Sequence, residues 1–181
     1  DWHTVAVDQR AGAMSAVTHL IERGHRCIAH LAGPLDWYDA RERQGGWRDA
    51  LALAGLPVPP PVAGDWTSDC GYAVGLDLDR AFATAEPVTA VFAANDQMAL
   101  GLIHGLADRG TRVPEDISVV GFDDLPDARH FLPPLTTVRQ DFAALGELTL
   151  RQIVAAIDGE ENTHHDLIEP ALVVRSSTAA R

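Results

Sequence analysis

The chain has 181 residues, 46% hydrophobic and 22% charged, the mix of a globular protein with room for one domain or one large lobe plus part of another. Its formal net charge is −12 with the acidic residues spread out, so the surface repels phosphate backbones and the segment is not expected to bind DNA by itself. No apolar run reaches the roughly 18 residues of a membrane span, and Asp1-Trp2-His3-Thr4 lacks the basic-then-apolar pattern of a secretory leader.

Helix and strand signals then alternate. Met14, Val17, Leu20 and Ile21 recur at helical spacing, with Gly24 where a C-cap belongs. Arg26 to Leu31 reads as a buried strand stopped by Gly33-Pro34. A second helix is expected from about Ala40 to Ala54, closed by Gly55, before a proline-rich connector from Pro57 to Pro61. Asp65-Trp66-Thr67-Ser68-Asp69 offers N-caps for a helix through Ala73, Leu76 and Phe82. Thr89 to Ala93 is the next strand, and Asn95-Asp96 opens a helix that ends at Gly110. Ile117 to Phe122 is a strand halted by Asp123-Asp124, and a short extended piece covers Thr137 to Arg139. A helix from Phe142 to Ile157 and a strand from Leu172 to Arg175 finish the chain. No internal repeat is evident.

Strands separated by helices of this length form parallel βαβ units, so the expected class is α/β with a doubly wound parallel sheet. Ligands of such sheets bind beyond the carboxyl ends of the strands. That rule singles out Gly33 to Arg43, Asn95-Asp96 and Asp123-Asp124, all polar. Asn95 offers a donor and an acceptor to a hydroxyl pair, while Asp96 suits a helix cap; both could be only caps. A carboxylate at Asp123 can accept two hydroxyl hydrogen bonds, or the acidic pair can simply make a turn. Arg41 and Arg43 present planar forks of donors, or lie on a solvated helix face. Trp66 can stack on the apolar face of a sugar ring; Trp37 and Trp47 read equally well as packing residues.

Catalytic patterns are missing. All 14 basic residues are arginine, which removes phosphate-loop lysines, Schiff bases and lysine general bases. The nucleophile elbow, the zinc-protease helix, Cys-x-x-Cys and Gly-x-Gly-x-x-Gly have no counterpart. His164-His165 are adjacent and point apart, a poor metal pair, and His104 falls on a helix surface. Cys27 reads as a buried small hydrophobe rather than part of a disulfide framework. No metal or cofactor is expected, and the polar set reads as binding without turnover.

Several of these segments together resemble the regulatory core of the lactose-repressor (LacI/GalR) family. They are Gly24-His25-Arg26-Cys27-Ile28-Ala29, Leu31-Ala32-Gly33-Pro34, Ala40-Arg41-Glu42-Arg43, and the run from Val91 to Gly101 through Ala93-Ala94-Asn95-Asp96. They continue from Val113 to Asp124 through Gly121-Phe122-Asp123-Asp124, and from Pro133 to Asp141 through Leu135-Thr136-Thr137. The resemblance implies two periplasmic-binding-protein-like lobes closing on a small effector, usually a sugar, with a separate operator-binding head that has no counterpart here. By similarity Arg43, Asn95 and Asp123 bind effector hydroxyls, and Gln140 lines the pocket near the crossover. Trp66 stacks on a galactoside-like ring, and Phe142 adds apolar wall.

The implied organisation is an end of the N-terminal lobe at 1–8, the C-terminal lobe at 9–137, a return segment at 138–166 and a tail at 167–181. Crossovers near Asp8, Thr137–Gln140 and His165–Leu167 serve as hinges. The implied assembly is a cytoplasmic homodimer, with Arg129 to Leu132 and the helix after Asn95 as interface candidates. The rival readings are a periplasmic sugar-binding protein of a transport system and a doubly wound enzyme acting on sugars or nucleosides.

Overall fold

The computed structural model describes residues 4–82, 84, 86–159 and 165–181. Asp1–His3 and His164 lie outside the described residues. Strand β1 (Thr4–Val7) passes through Asp8 into α1 (Gln9–Glu22), whose first turn Asp8 caps by accepting the Ala11 amide at 2.9 Å. Gly24, at φ +93°, ends the helix in the left-handed conformation its position predicts. Then come β2 (Ile28–Ala32) and α2 (Tyr38–Leu53). The proline-rich connector leads to β3 (Val62–Ala63), too short to carry any alternation in the sequence.

The helix expected to run through Phe82 is in fact two, α3 (Ser68–Leu76) and α4 (Leu78–Phe82). Asp77 leaves the helical region at φ −141°, ψ 53°, and the Arg109 guanidinium donates to the Leu76 carbonyl that the break frees. Apolar spacing cannot register such a break, because Phe82 still reaches the core. Among the four cap candidates around Trp66, Thr67 is the one used, its hydroxyl accepting the Cys70 amide at 3.2 Å.

The remaining elements are β4 (Ala90–Ala93), α5 (Asp96–Asp108), β5 (Ser118–Asp123), β6 (Thr136–Arg139), α6 (Phe142–Ile157), β7 (His165–Ile168) and β8 (Ala171–Val173). Six strands form one sheet in the order β3-β2-β4-β5-β6-β8, parallel except for the antiparallel edge strand β8. Alternate strand residues feed two cores. Ala29, Leu31, Val91, Ala93 and Val119 meet Val74, Met98, Leu102 and Leu106 of α3 and α5. Ile28, Phe92, Val120 and Phe122 meet Ala13, Val17, Leu20, Trp47 and Leu51 of α1 and α2. Both faces are therefore covered, as a doubly wound parallel sheet requires. Cys27 is half-buried at the edge of the first core rather than enclosed.

α3 and α5 touch backbone to backbone through glycines. A Cβ at Gly71 would lie 2.1 Å from the Met98 carbonyl oxygen, and one at Gly101 would lie 1.8 Å from that of Ser68. This close seam holds α5, and hence its N-terminal residues, against the sheet.

β1 and β7 pair in parallel as a separate two-stranded sheet, with α6 packed on β1. β7 runs to Ile168, so residues 165–167 are strand rather than connector and this sheet extends two residues past the expected boundary at 166. Leu150, Ile153, Val154 and Ile157 leave an apolar face of α6 exposed. No described helix is long and apolar enough to cross a membrane.

Candidate functional site

The carboxyl ends of β2, β4 and β5 gather the polar residues. Arg43 sits in α2, yet its residue is only 4% exposed, because the guanidinium reaches back under the loop and over the Phe122 ring at 3.9 Å. Its Nη1 donates to the Ala94 carbonyl just past β4. Its Nε donates to Gln9 Oε1 at 2.8 Å, and its Nη2 lies 3.3 Å from Asp123 Oδ1. Gln9 Nε2 in turn donates to Gln140 Oε1 at 2.8 Å, and Gln140 Nε2 donates to Asp123 Oδ1 at 2.6 Å. Arg43, Gln9, Gln140 and Asp123 thus close a ring of mutually polarising hydrogen bonds.

The ring's place in the chain matters. Gln9 follows the passage from β1 to α1, and Gln140 the passage from β6 to α6, so two ring members stand where the chain crosses between the sheets. Burial pushes the Asp123 carboxyl up, and Arg43 and Gln140 pull it back down. Burial likewise lowers Arg43, opposed by Asp123 and Asp39. Asp123 sits at φ +111° and Asp124 at φ +53°, strained positions for non-glycine residues. The strain turns their side chains apart. Asp123 joins the ring, whereas Asp124 is clamped by Arg139 Nε at 2.7 Å and by Arg175, tying the ends of β5, β6 and β8.

Asn95 serves as the helix cap that one of its sequence readings gave. Its Oδ1 caps α5 by accepting the Met98 amide at 2.9 Å, and its Nδ2 donates to the Trp66 carbonyl at 3.0 Å. Trp66 is at φ +73°, and its ring lies so close to Gly33 that a Cβ there would meet Cη2 at 2.1 Å. The Arg43 guanidinium stands 5.7 Å from the Trp66 ring, and Trp66 Nε1 is buried with no partner among the described residues. Phe142 stands apart: it is 59% exposed at the start of α6, and its amide donates to the Gln140 carbonyl.

Asp96 is not a cap. It is fully buried, with Oδ1 accepting the Thr137 hydroxyl at 2.6 Å and Oδ2 accepting the Leu125 amide at 2.8 Å. Burial pushes its pKa up to about 7, and the two hydrogen bonds pull it down. A carboxyl raised in the folded state from its ordinary 3.8 stabilises the fold fully below about pH 4, and this contribution disappears as pH rises through about 7. Asp96→Asn should therefore flatten the dependence of stability on pH between 4 and 8, measured as urea midpoints across that range.

Five of the six candidate residues converge, and Phe142 is not among them. Gln9 went unrecognised, and Asp39 and Asp96 fell within the strand-end sets without being named as site residues. Gln9 follows the Asp8 cap directly and reads as a first-turn helix residue. Asp39 acts on Arg43 and Asp123 through charge alone. Among the described residues no group of three His, Cys, Asp or Glu is placed to hold a metal.

A doubly wound sheet whose strand ends present a buried polar ring beside an indole has the arrangement in which α/β domains bind small molecules. The chain belongs to the periplasmic binding protein-like domain family, whose model matches residues 17–178. It is 35% identical over 178 residues to the lactose operon repressor of Escherichia coli K12, covering 98% of this chain and 49% of the repressor. A solved complex of the transcriptional regulator CelR with cellobiose superposes with a TM-score of 0.89 at 40% identity, covering 97% of this chain and 54% of that one. A lac repressor dimer bound to operator and the anti-inducer ONPF gives 0.87 at 37% identity, covering 97% and 60%. The chain spans about half the length of the curated relatives it matches. Those relatives are transcriptional regulators rather than enzymes.

Proposed function

We propose that this chain is the sugar-effector-binding and dimerisation core of a cytoplasmic LacI-type transcription repressor, which holds its ligand without turning it over. The closed ring of Arg43, Gln9, Gln140 and Asp123 carries the reading. It offers a cation, a carboxylate and two amides within one buried cluster, the donor and acceptor set that vicinal hydroxyls need. Asn95 extends the set, and Trp66 supplies the stacking face.

The same ring explains how binding is transmitted. An effector hydroxyl that competes for Arg43 or Asp123 loosens bonds that tie the crossings after Asp8 and at Gln140, so the two lobe arrangements differ in effector affinity. In this organisation residues 9–139 form the C-terminal lobe with the tail after β7, since β6 runs through Arg139 in the six-stranded sheet two residues past the expected boundary at 137. Residues 4–8, 140–159 and 165–168 belong to the N-terminal lobe, whose remaining strands would cover the exposed face of α6. α5 and the loop Arg129 to Leu132, where Leu132 is 88% exposed, form the dimer face. Operator DNA is contacted by a head outside this acidic chain. The lactose operon repressor, CelR and PurR, relatives named as transcriptional regulators, favour this reading over a transport protein.

Calorimetric titration of the full-length protein with a sugar panel, paired with operator binding with and without each sugar, tests the proposal. The expected result is one sugar class that binds and shifts operator affinity. Binding without any operator shift would favour the transport reading.

A further inference from the structure

Asp96 is fully buried beside the polar ring, yet it makes none of the ring's bonds. Its side chain reaches from the head of α5 across β5 to β6, where Gly121 and Thr137 stand paired. Only a glycine leaves room for that reach. A Cβ at Gly121 would lie 2.3 Å from Asp96 Oδ1 and 2.8 Å from Leu135 Cδ2. Oδ1 accepts the Thr137 hydroxyl at 2.6 Å, on the strand that leads directly to Gln140. Oδ2 accepts the Leu125 amide at 2.8 Å, immediately after the left-handed pair Asp123-Asp124. One carboxylate thus ties together the ends of the two strands that deliver Asp123 and Gln140 to the ring.

Two consecutive aspartates at positive φ persist only under outside restraint. β5 restrains the pair from before, and Arg139 and Arg175 grip the Asp124 side chain. The Leu125 bond to Asp96 fixes the backbone that leaves it. Burying a carboxylate is costly, and apolar atoms would pack the same space without that cost. What the carboxylate adds is direction, since its two acceptors set the Leu125 amide and the Thr137 hydroxyl relative to each other. We infer that Asp96 is a positioning residue of the proposed sugar site, holding the Asp123-Asp124 turn and the end of β6 so that Asp123 and Gln140 meet Arg43. The inference rests on that site being the effector site. Asp96 touches no effector and acts through Asp123 and Gln140.

The test is calorimetry on the full-length protein with the tightest binder among methyl glycosides and disaccharides of glucose and galactose. Asp96→Ala should weaken binding roughly ten- to a hundredfold, and Thr137→Val, which removes one partner and keeps the shape, roughly three- to tenfold. Asp96→Asn should restore most of the affinity, because its oxygen still accepts the Leu125 amide and its amide can donate to Thr137 Oγ1. A double-mutant cycle with Asp123→Asn separates positioning from bulk stability: with the ring carboxylate gone, Asp96→Ala should cost no more than about threefold further. Thr137→Val carries the same cycle should Asp96→Ala fail to fold. Equal losses in the two backgrounds overturn the inference alone, as does undiminished binding in Asp96→Ala or a loss in Asp96→Asn as large as in Asp96→Ala. Failure of every sugar to bind wild type overturns the parent reading and this one with it.

Discussion

Arg43→Ala should reduce affinity for the best sugar by at least roughly a hundredfold, since it deletes two or more charge-assisted hydrogen bonds of about 1.5–3 kcal/mol each. The guanidinium is the cation of the ring, bonded to Gln9 and Asp123 and anchored outside it by the Ala94 carbonyl. Removing it also leaves Asp123, whose side chain is 20% exposed, without its cation in a site where burial already raises its pKa. A second effect should follow: the Asp123 carboxyl of the variant takes up a proton at higher pH than in wild type. Arg43→Lys separates charge from geometry. A lysine keeps the cation but cannot bridge Gln9 and Asp123 with a planar fork, so most of the loss should remain. Far-ultraviolet circular dichroism of each variant establishes that the fold survives, and an unchanged sugar isotherm for Arg43→Ala would refute the site.

How much of this was legible before any coordinates? Elements with a recognised signal at an end were placed closely: Gly24 ends α1 at φ +93°, Asn95 opens α5, and Gly110 follows α5 at φ +77°. The strand-end rule alone directed attention to Arg43, Asn95 and Asp123, because a parallel sheet puts its loops on one edge whatever the sequence. What stayed hidden was long-range. Nothing local distinguishes Asp123 from Asp124; their opposite directions follow from two consecutive residues at positive φ. Gln9 and Gln140 are 131 positions apart and meet only because β6 returns beside the start of α1. The partition of Asn95-Asp96 depends equally on tertiary context, since Asp96 is claimed by Thr137 from a different strand. The break at Asp77 escaped for the opposite reason: apolar periodicity reports which face is buried, and that face is the same on both sides of the break.

The largest stability effect expected away from the site comes from a single methyl group. Gly101→Ala places a Cβ 1.8 Å from the Ser68 carbonyl oxygen and close to the Tyr72 amide, and both are backbone atoms of α3 that no rotamer change can move. Alanine favours helix over glycine by about 1 kcal/mol, so the substitution gains locally and loses globally. The helices must part, which opens the contacts of Val74, Met98 and Leu102 in the core between them. The net cost should be about 2–3 kcal/mol, read as a lowered urea midpoint of the full-length protein. Gly146→Ala, on exposed α6 where a Cβ meets nothing within 4 Å, is the matched control and should instead stabilise by roughly 0.5–1 kcal/mol. Opposite signs for one chemical change isolate the helix seam as the cause. Because Asn95 and Asp96 stand at the head of α5, the same displacement should weaken sugar binding as well, although Gly101 touches neither the ring nor Trp66.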